Sequence, residues 1–384
     1  DINTVATVTN GEVTATVTSG AASVLKLLTT DSNDAITMTV NAEASGATAA
    51  ADLVSLNGNT NKAITMTAVT SVSGSYADLF NVYVTNKTQY DGVGDEAVAI
   101  TGSVTATEAD TIADATSGIV TATIDAATAA ALNAALSDAQ VNAYNLTING
   151  SSAISTDITS LDNKTSGSIT LSGTSMTITV ASGETLNLSG ITNSLGGNLS
   201  ITDSTGNENI VGTSANDTLT LSSGNDTVNL GDGSDDINVT IGNLDISDNI
   251  SDNGVSGTDT LNITNSGTID SANLIDVSGI ETLNLSSGND TITFDDTAEF
   301  DAFRNEFANI VDAGGNDEFK FSSAITEDLD FTKIANLEKL SFSGADDTVT
   351  FGTDEFNAGI KTLDLGNGQN KAYLEADTTS SVQV

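Results

Sequence analysis

The 384-residue chain has no cysteine, histidine, proline or tryptophan, and ten basic residues stand against 52 acidic ones, for a net charge of −42. Each shortage narrows the functions open to it. Lack of cysteine removes disulfide staples. Lack of both cysteine and histidine takes away the usual ligands of a catalytic zinc and the commonest catalytic nucleophiles and bases. One arginine, Arg304, and nine scattered lysines make no basic patch, so nucleic acid does not fit as a partner. The same scarcity of cations argues against a solenoid lyase or epimerase acting on an anionic polysaccharide. Carboxylate pairs would still permit glycosidase chemistry, but the acidic residues recur in phase instead of forming one isolated pair, so we expect no enzyme. Aromatics make up only 4% of the chain, which counts against a carbohydrate-binding face. No apolar run is long enough to span a bilayer, and no signal peptide opens the chain. It begins at Asp1, as a processed protein or a fragment would.

What is present is periodic. Glu208, Asp217, Asp226 and Asp235 follow one another at nine-residue steps, and two residues after each comes an aliphatic: Ile210, Leu219, Val228 and Ile237. Gly206, Gly224 and Gly233 stand two residues before three of the four acids. Small turn residues, one carboxylate and one inward aliphatic per nine residues suit a parallel β-roll that binds calcium in its turns. Ca²⁺ takes six to eight oxygen ligands. Glycine lets successive carbonyls converge, and short Asp and Asn side chains tolerate the tight turns. The candidate ligand set in this strip is Glu208, Asn216, Asp217, Gly224, Asn225, Asp226, Asp232, Gly233, Asp235 and Asp236.

The strip GNENIV, GTSANDTLT, LSSGNDTVN, LGDGSDDIN resembles the RTX (repeats-in-toxin) family. That resemblance implies two nonapeptides per coil and an ion between the turns of stacked coils. It would pair Glu208 with Asp226 along one edge and Asp217 with Asp235 along the other. The chain departs from the family pattern where that pattern opens on two glycines: here the places hold Gly212-Thr213, Leu221-Ser222 and Leu230-Gly231. Ala215 also replaces a glycine, and Glu208 an aspartate. A set of β-turns without an ion is the alternative.

Looser copies of the unit follow, with key positions Asp259, Asp290, Asp317, Asp347 and Asn370. Spacings of 23 to 31 residues suit one coil per repeat with insertions. For these turns a calcium role and a purely structural role both stand; Asn370, uncharged, is read as structural. Ten of the eleven phenylalanines lie from Phe294 onward. Phe300, Phe303, Phe307 and Ile310 predict a helix near 297–311 that supplies core, with Asp296 and Glu299 at its cap.

The first half alternates Thr with Val and Ile, as half-buried strands do. Ala126–Leu136 and Gly46–Leu56 read as short helices. Echoes such as Val13–Thr18 with Val120–Asp125 suggest a diverged duplication. The expected organisation is a β-rich repeat domain over 1–105, its diverged copy over 106–166, and a β-solenoid over 167–384, with the tight run at 206–238 and looser repeats at 255–375. The fold class is therefore mainly all-β: a parallel β-roll or solenoid with calcium-binding turns in the C-terminal half, and β-rich tandem repeats with short helices ahead of it.

Two functions fit. One is a calcium-locked, self-assembling extracellular protein such as a bacterial S-layer, sheath or filament subunit, its partners further copies of itself, with an envelope polysaccharide as the candidate anchor. The other is the stalk of an RTX adhesin or biofilm-matrix protein. The first draws on a resemblance to RTX-containing S-layer proteins, which are acidic, cysteine-free and rich in Thr, Ala, Gly and Asn. Both imply the cofactor Ca²⁺ and an extracellular, cell-surface location, reached through a type I secretion channel.

Overall fold

The computed structural model describes residues 2–136 and 140–374. The chain divides into two compact units, Asp1–Gly150 with Asp157–Ser172, and Ser151–Thr156 with Gly173–Val384.

In the first unit, parallel strands Thr48–Ala49, Ser71–Gly74, Ala97–Val104, Val120–Ile124, Ala143–Ile148 and Ile169–Gly173 pair in chain order. Between them come the short helices Ala50–Asn57, Tyr76–Phe80, Ala106–Ala113, Ala129–Ala135 and Ser155–Lys164. Ala129–Ala135 lies inside the expected helical stretch Ala126–Leu136, and Ala50–Asn57 overlaps Gly46–Leu56 and ends one residue beyond it. Strand Val120–Ile124 buries alternate residues, Val120, Ala122 and Ile124, so the Thr/aliphatic alternation is the pleat itself. Thr105 closes a capping box with Glu108, which satisfies amide groups at the start of helix Ala106–Ala113.

The second unit is a parallel β-roll. A nine-stranded sheet runs through Leu199–Thr202, Asp217–Thr220, Asp236–Val239 and Thr260–Ile263. A five-stranded sheet holds the alternate strands Asn209–Val211, Thr227–Asn229 and Asn249–Ser251. Leu199 is in register with Asp217, Asn209 with Thr227 and Thr218 with Asp236. The coil is thus two nonapeptides long, and Ile210, Leu219, Val228 and Ile237 fill its core. Beyond the strip the coils lengthen: Asp236 pairs with Thr260, and Thr282 with Asn309.

Close stacking dictates the glycines. A Cβ on Gly224 would lie 1.3 Å from the carbonyl oxygen of Gly206 in the preceding coil, and one on Gly257 would lie 1.2 Å from that of Gly233. No side chain moves to relieve such an overlap, because backbone meets backbone. Gly224→Ala is therefore expected to destabilise the roll by at least the ~1–3 kcal/mol typical of overpacking, measured as a lower urea midpoint at saturating Ca²⁺.

The phenylalanine-rich end has a dense core. Phe294 lies 5.2–5.3 Å from Phe300, Phe303, Phe319 and Phe321 between ring centroids. The helix here is Thr297–Glu306, capped by Asp296, whose carboxylate accepts from the Glu299 amide. It is shorter than the 297–311 that the apolar spacing predicts. Phe307 is already extended and Ile310 belongs to strand Asn309–Asp312. The Ala308 and Asn309 amides both donate to the Glu281 carbonyl, so the sheet takes over the chain and buries Phe307 and Ile310 in its own way.

Candidate metal centre

Each turn of the roll places a carboxylate under the backbone of the coil before it. The Glu208 amide donates to Asp226 Oδ1 at 2.9 Å, and the Asp226 amide to Asp248 Oδ1 at 3.0 Å, along one edge. Along the other, the Asp217 amide donates to Asp235 Oδ1 at 2.6 Å, Asp235 to Asp259 at 2.8 Å and Asp259 to Glu281 Oε2 at 2.8 Å. The later coils repeat the device, with Asp290 donating to Asp317 at 2.5 Å and Asp347 to Asn370 Oδ1 at 2.9 Å. Outside this ladder runs a second one in the opposite sense. Asn207 accepts from the Asn225 amide, and Asn216 from the Ser234 amide, one coil on.

In several of these turns one carboxylate oxygen is used and the other is left. Glu208 Oε2, Asp226 Oδ2, Asp235 Oδ2, Asp317 Oδ2 and Asp347 Oδ2 are buried without a hydrogen-bond partner, as are Asp203 Oδ1, Asp252 Oδ2 and Asp312 Oδ1. Buried polar atoms are rarely left so. All but Asp347 fall into three trios whose ligand atoms lie within 4.8 Å of one another: Asp203, Glu208 and Asp226; Asp235, Asp252 and Asp259; Asp290, Asp312 and Asp317. Burial pushes five of them up, Asp203, Asp226, Asp235, Asp259 and Asp317, and neighbouring carboxylates add to the rise. Asp203 reaches about 6, and Asp226, Asp235, Asp259 and Asp317 about 7. An all-oxygen donor set with converging negative charge fits a hard divalent cation of the calcium type.

The candidate residues from the sequence separate into groups. Glu208, Asp226, Asp235, Asp259, Asp290 and Asp317 come together in the trios. Asp217 is buried but self-contained: its carboxylate accepts from the Thr213 amide at 2.7 Å and from the Thr213 hydroxyl at 3.1 Å. Asp347 caps the Ile325 amide and joins no trio. Asn216 and Asn225 are exposed rungs of the outer ladder, and Asp232 accepts from the Val255 amide on the outside of its turn. Asp236 starts strand Asp236–Val239 and is half-buried. Gly224 and Gly233 supply close backbone approach.

Sequence reasoning missed Asp203, Asp252 and Asp312. Each follows a buried isoleucine by two residues, in Ile201-Thr202-Asp203, Ile250-Ser251-Asp252 and Ile310-Val311-Asp312. That small signal lies outside the nine-residue phase. Asp248, Glu281 and Glu338 were missed as ladder rungs because insertions displace them from the phase.

The first unit builds comparable caps largely from neutral groups. The Ile36 amide donates to Thr60 Oγ1, Val120 to Asn142 Oδ1 and Tyr144 to Thr165 Oγ1; Val13 donates to the carboxylate of Asp34. Among the described residues the acidic trios all lie in the second unit.

Fold and turns together define a parallel β-roll with cation-sized carboxylate clusters between its coils. Residues 202–237 match the RTX calcium-binding nonapeptide repeat in four copies, so the second unit carries RTX repeats. No curated protein and no solved structure matches the chain significantly. Among the described residues no helix is long and apolar enough to cross a membrane.

Proposed function

We propose that the protein is a calcium-stabilised extracellular structural protein that assembles with further copies of itself into a layer, sheath or filament. The observation that carries the calcium part is the set of buried carboxylate oxygens left without partners, those of Asp203, Glu208, Asp226 and Asp235 within the stretch that matches a calcium-binding repeat. Unfolded, the chain has no preformed site, so the free energy of binding becomes free energy of folding. In a low-calcium cytoplasm the carboxylates repel and keep the roll open, which suits export through a secretion channel. Outside, millimolar Ca²⁺ closes it. Charge supports the assembly part: a surface at −42 resists self-association until external divalent cations screen and bridge it. We read the protein as non-catalytic, since the carboxylates recur turn after turn as caps of backbone amides and not as one isolated pair.

Sedimentation and negative-stain imaging with EGTA and then with millimolar Ca²⁺ test the proposal. Ordered sheets, tubes or filaments that appear only with calcium are the expected result. A folded monomer under the same conditions would replace assembly with the adhesin-stalk reading.

A further inference from the structure

Asp203, Asp252 and Asp312 occupy the first place of their turns. One coil away the same place is apolar and buried: Leu285 is in register with Asp312, and extending the strand registers sets Leu221 against Asp203 and Leu230 against Asp252. Three times, then, a carboxylate fills a slot that an adjacent coil gives to leucine. Asp203 and Asp312 are 6% and 3% exposed, yet Asp203 Oδ1 and Asp312 Oδ1 have no partner; Asp252 is half-buried, with Oδ2 buried and unpartnered. An ionised carboxylate in such a place is costly unless a counter-charge meets it.

The second oxygen of each of these residues is held firmly and sets the direction of the first. Asp203 Oδ2 accepts from the Ser222 amide at 3.0 Å, Asp252 Oδ1 from the Gly231 and Gly254 amides at 3.1 and 2.8 Å, and Asp312 Oδ2 from the Gly314 amide at 3.1 Å. The free oxygens therefore point at ladder carboxylates that also carry free, buried oxygens: Glu208 and Asp226, Asp235, and Asp317.

We propose that these three turn-opening aspartates are direct ligands of divalent cations and decide which turns bind one. The roll then holds three such sites, each pairing a turn-opening aspartate with two ladder carboxylates. The site at Asp290, Asp312 and Asp317 lies wholly outside residues 202–237, and that at Asp235, Asp252 and Asp259 mostly so. Two turns without the extra aspartate satisfy their acids otherwise: Thr213 satisfies Asp217, and the Asp245 amide at 2.9 Å occupies the second oxygen of Asp248. This inference rests on the calcium reading above but makes a separate demand, for ligands at places the nine-residue pattern does not include.

The test is a count of bound Ca²⁺ on the full chain, by native mass spectrometry and by equilibrium dialysis. The variants are Asp203→Leu, Asp252→Leu and Asp312→Leu, each repeated as the Asn variant, which keeps the shape and the amide contact. Each single substitution is expected to remove one bound ion, and the triple variant three. Leucine fits the slot in neighbouring coils, so at saturating Ca²⁺ each single Leu variant should keep the roll folded and retain the other ions. A full ion count in the Asp312 variants, alongside a lower count in Asp226→Ala, overturns this assignment and leaves the calcium reading standing. No bound calcium on the parent chain overturns both.

Discussion

Replacing Asp226 and Asp235 together by alanine is expected to abolish most of the calcium-induced gain in stability, whereas replacing Asp157 and Asp162 leaves it intact. The two pairs carry the same charge change and differ in position. Asp226 and Asp235 are buried, cap the amides of Glu208 and Asp217, and each offer a free oxygen to a different trio. Asp157 and Asp162 lie on helix Ser155–Lys164 of the other unit, where Asp157 accepts from the Asn133 amide group and Asp162 is exposed. Sites of extracellular type bind at ~10⁻⁴–10⁻³ M. At free calcium ten times Kd each site contributes about 1.4 kcal/mol, so three contribute about 4 kcal/mol. The first double variant disables two of the three sites and also leaves two backbone amides uncapped. Urea unfolding with and without calcium reads the difference, and an equal calcium increment in both double variants would refute the site assignment.

The second large effect is on pH. Without calcium, stability should fall as pH rises from about 5 to 8. Burial raises Asp226, Asp235, Asp259 and Asp317 to about 7 and Asp217 to about 6. Glu355, buried at the start of helix Thr353–Ala358, reaches about 8 for the same reason, with Asp354 beside it. A group whose folded pKa lies above its unfolded value, near 4 for a carboxylate, favours the fold while protonated. Its contribution is complete below the unfolded pKa and is lost as pH climbs through the folded one. Calcium reverses the sign, because the ion requires the ionised form and protons compete with it. Melting curves at pH 5 and pH 8 should therefore rank pH 5 higher in EGTA and pH 8 higher in millimolar Ca²⁺. The same ranking in both would show that these carboxylates do not bind the ion.

The roll was legible in the sequence because a parallel coil repeats its own core. Ile210, Leu219, Val228 and Ile237 must each meet an equivalent residue one coil on, which imprints a fixed period on the chain. The acidic phase was legible for the same reason, since each ladder carboxylate caps the amide of its counterpart. The turn-opening aspartates carry no such imprint. Asp203 meets Asp226, and Asp312 meets Asp290, only because stacking brings different places of successive turns together. Nor does a one-dimensional period distinguish Asp217, whose neighbour Thr213 satisfies it, from Asp226, whose second oxygen stays free. At the phenylalanine-rich end, helix and strand bury Phe300, Phe303, Phe307 and Ile310 alike, so apolar spacing alone overran the end of the helix.

In this reading, calcium binding and folding of the second unit are one event. Hydrogen exchange on the full chain in EGTA, followed by addition of millimolar Ca²⁺, tests it most directly. Strands Asn209–Val211, Asp217–Thr220, Thr227–Asn229 and Asp236–Val239 are expected to exchange freely in EGTA and to become protected with calcium, while Ala97–Val104 and Val120–Ile124 of the first unit are protected throughout. Equal protection of the second unit's strands in EGTA and in calcium would contradict it.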